Sequence, residues 1–84
     1  MSEVDYGRLR SLTLRELTQA LLSDGFVFTR QRGSHRRYAL EDGRRVTVPS
    51  GRTGATLAPA TLRSIIGSQA RWTARDLRRF GLIS

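Results

Sequence analysis

The sequence predicts an α+β fold of order α-β-β-β-α, with a short helix added near the C-terminal end. Three observations carry this reading. A leucine-rich segment bounded by Thr13 and Gly25 has helical spacing. Three short segments between Phe26 and Pro49 alternate with a two-residue period and are divided by turn residues. A second helical pattern begins at Pro59. The apolar stripes of the two main helices need the same core. Both helices are therefore expected on one face of a three-stranded antiparallel sheet, with the other face left to solvent.

Met1 to Arg10 shows no period and reads as a frayed leader. Thr13 and Glu16 form a capping box, and Leu12 and Leu17 stand at the positions of a hydrophobic staple. Leu14, Leu17 and Leu21, with Ala20, make the apolar stripe of a helix over Leu14–Ser23, which Gly25 ends. Phe26–Gln31 is the first strand, with Phe26 and Phe28 on one side and Val27, Thr29 and Gln31 on the other. Arg32-Gly33 makes a tight connection to the second strand, Ser34–Leu40. There Tyr38 and Leu40 face the core, and His35, Arg37 and Ala39 face away. Asp42-Gly43 suits a type I′ turn. The third strand, Arg44–Pro49, points Val46 and Val48 inward and Arg45 and Thr47 outward, and Pro49 stops it.

Ser50–Thr56 is polar and glycine-rich and reads as a flexible connector. Its Gly51-Arg52-Thr53-Gly54 matches the G-x-x-G of KH domains, but it follows a strand instead of joining two helices. Pro59 opens the next helix, Leu62, Ile65 and Ile66 form its apolar face, and Gly67 is expected to end or weaken it. Thr73 caps a last short helix supported by Asp76 and by a Trp72–Leu77 staple, with Gly81 as its stop. Arg75, Arg78 and Arg79 read as its solvated face.

Eighty-four residues make a single domain over 1–84. A chain this short buries only about 60–65% of its unfolded surface, which leaves no room for a deep enclosed cavity. The net charge of +8 rests on 15 arginines and no lysine. Such a charge attracts polyanions: nucleic acid first, an acidic protein second. Without cysteine there are no disulfides or thiolate zinc sites. One histidine and scattered carboxylates give no expectation of a metal or cofactor. The apolar runs are far too short to cross a membrane, and the first residues lack the apolar core of a signal peptide. The expected compartment is the cytoplasm.

The chain's one histidine lies in Gly33-Ser34-His35-Arg36-Arg37-Tyr38. Imidazole exchanges protons near neutrality, and guanidinium groups grip phosphate oxygens in pairs. His35 among arginines therefore suggests proton transfer beside a phosphodiester. The outward face is expected to collect Thr29, Gln31, His35, Arg37, Arg45 and Thr47. Arg37 and Arg45 are the first candidates for phosphate contacts, followed by Arg36 and Arg32, with Arg30, Ser34 and Arg52 nearby. The alternative is a non-catalytic basic module that grips RNA by shape and charge, with His35 a passive surface residue.

The residues so placed resemble the HicA toxin family of toxin–antitoxin pairs. The resemblance rests on Asp24-Gly25-Phe26, Arg30-Gln31-Arg32-Gly33-Ser34-His35 and Tyr38. It continues through Asp42-Gly43-Arg44-Arg45-Val46-Thr47-Val48-Pro49 and Thr61-Leu62-Arg63-Ser64-Ile65-Ile66. It implies a fold like that of double-stranded-RNA-binding domains. It also implies a metal-independent endoribonuclease that cleaves mRNA, with His35 as the catalytic histidine and a HicB-like antitoxin as partner. One departure stands out. Many members of the family carry a second histidine just after Val-Pro, where this chain has Ser50-Gly51.

Overall fold

The computed structural model describes residues 4–83. Helix α1 (Leu14–Asp24) begins at the expected capping box. The Thr13 hydroxyl accepts from the Glu16 N–H at 3.2 Å, and the Glu16 carboxylate accepts from the Thr13 N–H at 3.0 Å. Leu12 and Leu17 are both buried, as a staple requires. Gly25 closes the helix in the left-handed region, φ 105°, while the Phe26 N–H donates back to the Leu21 carbonyl. The expected helix ends one residue early.

Three strands follow, β1 (Val27–Arg32), β2 (His35–Ala39) and β3 (Arg45–Pro49), paired antiparallel in that order. Gly33 and Ser34 alone join β1 to β2. Gly33 has φ 59° at the first of these two positions, and Ser34 stays at negative φ, the pattern of a type II′ turn. The second hairpin corrects an expectation. In Glu41-Asp42-Gly43 only Gly43 has positive φ, so the turn is not type I′. It is a three-residue loop with glycine in the left-handed position, closed by Leu40 N–H to the Arg44 carbonyl at 2.9 Å.

Tyr38, Val46 and Val48 pack from the sheet against Leu17 and Leu21 of α1, Leu62, Ile65 and Ile66 from the second helical segment, and Trp72 and Leu77 from the third. That second segment is α2 (Pro59–Arg63), continued without a break by a π turn over Ser64–Gln69. Gly67, expected to end or weaken the helix, does not end it and lies inside the π turn. A β-carbon at Gly67 would stand 2.8 Å from the Tyr6 hydroxyl, so the glycine makes room for a neighbour. The last helix, α3 (Ala74–Arg79), has the expected Thr73–Asp76 capping box. Beyond it Gly81 has φ 75°, and the Leu82 N–H donates to the Leu77 carbonyl.

Two further expectations are overturned. The frayed leader over 1–10 fails where it is described: Tyr6–Leu9 forms a 3-10 turn capped by Asp5, and Leu9 is 2% exposed in the core. The remainder of that leader, residues 1–3, lies outside the described residues. The loop after β3 is not a free connector. The Leu14 and Arg15 N–H groups donate to the Ala55 and Thr53 carbonyls at 2.9 and 3.0 Å. The loop thus satisfies donors that the first turn of a helix cannot satisfy within itself.

Candidate nucleic-acid interface

His35 is the first residue of β2, immediately after the Gly33-Ser34 turn. The turn explains why these residue types adjoin it. Glycine tolerates the positive φ, and the short loop delivers His35 straight onto the ladder. His35 is exposed.

The face around it differs from the sequence expectation in one decisive respect. The β1–β2 ladder pairs Phe28 with Tyr38 and then Arg30 with Arg37, leaving Thr29 as a bulge. A bulge shifts the alternation of side chains by one. Residues paired across a ladder share a face. Arg30 and Arg32 therefore join Arg37 and His35, whereas Gln31 pairs with Arg36 and leaves for the other face. The outward face is built of three cross-strand rows: Val27–Ala39–Arg45, Arg30–Arg37–Thr47 and Arg32–His35–Pro49. In the bulge, the Thr29 hydroxyl donates to the Arg37 carbonyl at 3.1 Å. Among the described residues, Arg30, Arg32, Arg37 and Arg45 pair with no carboxylate, unlike Arg44 and Arg79.

Other expected site residues go elsewhere. Arg36 lies across from Gln31 and Val48, on the side of the sheet that faces α1, where it lines a groove with Arg15, Thr18 and Pro49. Ser34 is the second turn residue. Arg52 sits in the loop that caps α1, outside the three rows.

The face is not wholly free of helix cover. At the β3 edge, α2 and the π turn stand beside it, and an open cleft of about 400 Å³ runs between them. His35, Thr47 and Pro49 form one wall, and Thr61, Ser64 and Gln69 the other. Gln69 ties the walls together. Its carbonyl oxygen accepts from the Thr47 N–H at 2.7 Å, and its amide nitrogen donates to Ser64 Oγ at 2.9 Å. Thr47 is expected on the outward face, but the sequence assigns Gln69 no role and Ser64 none beyond the family motif. The π turn that positions Gln69 has no local sequence signal beyond Gly67, which reads as ending or weakening the helix. Among the described residues, no three carboxylate, imidazole or thiolate groups gather as metal ligands would.

The model of one protein family, the HicA toxin of bacterial toxin–antitoxin systems, matches residues 14–78. The chain belongs to the HicA toxin family. The match runs from the start of α1 into α3 and takes in His35, all the arginines of the outward face and both walls of the cleft. A comparison with curated proteins finds no match. Membership in HicA gives the chain a toxin's role and implies an antitoxin as its partner. No helix among the described residues is long and apolar enough to cross a membrane.

Proposed function

We propose that this HicA toxin is a metal-independent endoribonuclease that cuts mRNA, with His35 as its proton acceptor. The observation that carries the reading is the row structure of the outward face. His35 stands opposite Arg32 and one row from Arg30 and Arg37, with no carboxylate in any of the three rows. Neighbours across such a ladder lie about 5 Å apart. His35 and Arg37, two residues apart on one strand, are separated by about 6.6 Å. Guanidinium groups at these distances reach a phosphate held against the imidazole.

The chemistry follows from RNA itself. The 2′-hydroxyl attacks the adjacent phosphorus while His35 takes its proton. The 2′-O–P bond forms and the P–5′-O bond breaks, leaving a 2′,3′-cyclic phosphate and a free 5′-hydroxyl. The 5′-oxygen takes a proton from protonated His35 or from water. Arg32, Arg37 and Arg30 stabilise the charge that gathers on the phosphorane oxygens. DNA lacks the 2′-hydroxyl and resists. With one imidazole and no second histidine to protonate the leaving oxygen, turnover is slow, which a toxin tolerates because few cuts per message suffice. A HicB-like antitoxin silences such a site by covering His35 and setting carboxylates against Arg37 or Arg45.

The test is His35→Ala. Wild type expressed without its antitoxin stops growth and cuts single-stranded RNA in EDTA. The variant is tolerated, loses at least about 100-fold in cleavage and still binds RNA, since charge supplies the affinity. A folded His35→Ala protein that still cuts overturns the mechanism. RNA binding by both proteins with cleavage by neither selects the non-catalytic RNA-binding module.

A further inference from the structure

We infer that the cleft between β3 and the π turn is a nucleobase subsite, which receives the base beside the phosphate held at His35. The inference rests on the RNA reading above and adds to it which side chains touch the base.

The two halves of the surface differ in chemistry. The three-row face is cationic, with an open depression of about 340 Å³ among Arg30, Arg37, Ala39, Arg45 and Thr47, which suits a sugar–phosphate backbone. The cleft adjoins it at His35 and Thr47 and is lined by no arginine and no carboxylate. Its polar groups are the hydroxyls of Thr47, Thr61 and Ser64 and the amide of Gln69, set beside the apolar surface of Pro49. A volume of about 400 Å³ falls within the size range of small-ligand pockets. A neutral cleft of mixed polarity, at the end of a phosphate track and next to the proton acceptor, fits a flat heterocycle with polar edges. Single-stranded RNA is read in this way, by hydrogen bonds to splayed-out bases.

The hydrogen bonds already made determine what remains to be offered. Ser64 Oγ accepts from the Gln69 amide, which leaves the Ser64 O–H to donate. The Gln69 carbonyl is occupied by the Thr47 N–H, which leaves the second amide hydrogen of Gln69 to donate. Both can donate to a carbonyl oxygen or ring nitrogen of a base edge, and the hydroxyls of Thr47 and Thr61 can donate or accept. The π turn is part of the device. The Ala70 N–H reaches the Ile65 carbonyl at 2.7 Å, five residues back. This wider turn swings Gln69 against the edge of β3. Single π turns are frequent at functional sites.

The experiment is an amide-shift titration of the full chain carrying His35→Ala, which prevents cleavage. The probes are short single-stranded RNA oligonucleotides and matched abasic oligonucleotides. The base-bearing RNA is expected to move the amides of Thr47, Thr61, Ser64 and Gln69, with Gln69 side-chain signals shifting too. The abasic probe moves amides of the three rows, Thr47 included, and leaves those of Thr61, Ser64 and Gln69 in place. Ser64→Leu fills the cleft from an exposed position; it lowers affinity for base-bearing RNA about 10-fold and leaves the abasic affinity unchanged. Thr61→Val, milder in shape, changes the order of preference among the four bases. Equal shifts from both probes, or a folded Ser64→Leu protein with unchanged affinity for base-bearing RNA, overturn the subsite. Failure of catalysis reads differently: base-dependent shifts in the cleft with no cutting by wild type leave the subsite standing and remove the nuclease.

Discussion

Arg30 stands directly across the β1–β2 ladder from Arg37, one residue beyond the bulge at Thr29. Like charges placed directly opposite destabilise a sheet. Neither guanidinium has a carboxylate partner among the described residues. An anion bound between them removes the repulsion, so the pair is suited to a phosphate. Arg37→Ala is expected to weaken RNA binding and to reduce the salt slope of log affinity by about 0.7, the value for one phosphate contact on a single strand. Arg30→Ala behaves alike. Thermal stability stays within about 0.5 kcal/mol, as for other surface changes, or rises slightly. An unchanged salt slope in both variants removes these arginines from the interface.

Gly67 and Tyr6 make a second prediction. Alanine is favoured over glycine by about 1 kcal/mol in a helix interior. Here the added methyl would meet the Tyr6 hydroxyl at 2.8 Å. Overpacking of this kind costs about 1–3 kcal/mol. Tyr6 also stacks under Arg63, at 5.7 Å from the ring centre, and moving it away loses that contact. Gly67→Ala is therefore expected to be neutral or destabilising alone, and more favourable by about 1 kcal/mol or more in a Tyr6→Phe background. Denaturant unfolding of the four proteins measures the coupling. Additive effects would mean that the hydroxyl does not demand the glycine.

These cases mark where the sequence was legible and where it was not. Caps are local: Thr13 with Glu16 and Thr73 with Asp76 act within one turn, and both boxes form as their spacing says. The strands and their order follow from alternation and turn residues. The bulge at Thr29 was not legible, because it changes register through pairing with another strand and leaves no mark in the alternation of β1 itself. Reading β1 as regular put Gln31 on the His35 face and missed Arg30 and Arg32 there. The π turn is hidden for a similar reason. Gly67 lies against the Tyr6 hydroxyl, sixty-one positions earlier in the chain, and a short-range reading sees only a helix end or a weak point. The histidine was found because imidazole is chemically distinctive. The far wall of its cleft, made of common serine, threonine and glutamine, required the fold.

Three carboxylates give the stability a predictable response to acid. The Thr13 N–H, then the Thr13 hydroxyl, hold Glu16 below its ordinary value. The Arg44 backbone N–H does the same for Asp42, with help from the Arg44 guanidinium. At Asp76 partial burial pushes upward, and is outweighed by the Thr73 backbone N–H, the Arg79 guanidinium and the Thr73 hydroxyl. All three values are lowered in the folded state. Their contributions are therefore complete above the ordinary carboxylate range and fade as pH falls through the lowered values. The melting temperature should be flat around neutrality and decline below about pH 4. Glu16→Gln combined with Asp42→Asn and Asp76→Asn should start lower and decline less steeply. An acid limb of undiminished steepness in the triple variant would assign the decline to other groups.

The last prediction concerns the joint between the helices. The Trp72 indole N–H donates to Asp24 Oδ2 at 2.9 Å, and the same carboxylate stands 3.5 Å from both Arg44 and Arg79. Asp24 is the C-terminal residue of α1, and Trp72 precedes the Thr73 cap of α3, so one carboxylate ties the two helices together. Trp72 is 3% exposed, so its N–H has no ready access to water. Removing the acceptor leaves a buried donor unsatisfied, at a cost of about 1–3 kcal/mol. The arginines contribute less. Arg79 is exposed and keeps Asp76, and such exposed pairs are worth little. Arg44 keeps Asp42 and the Ala70 carbonyl. Asp24→Ala is therefore expected to destabilise by about 1–3 kcal/mol, most of it through Trp72. The same substitution made on Trp72→Phe, which has no N–H to satisfy, should cost markedly less. Unfolding followed by circular dichroism serves all four proteins, since two of them lack the tryptophan. An equal loss in both backgrounds would move the effect of Asp24 from the indole to the arginines.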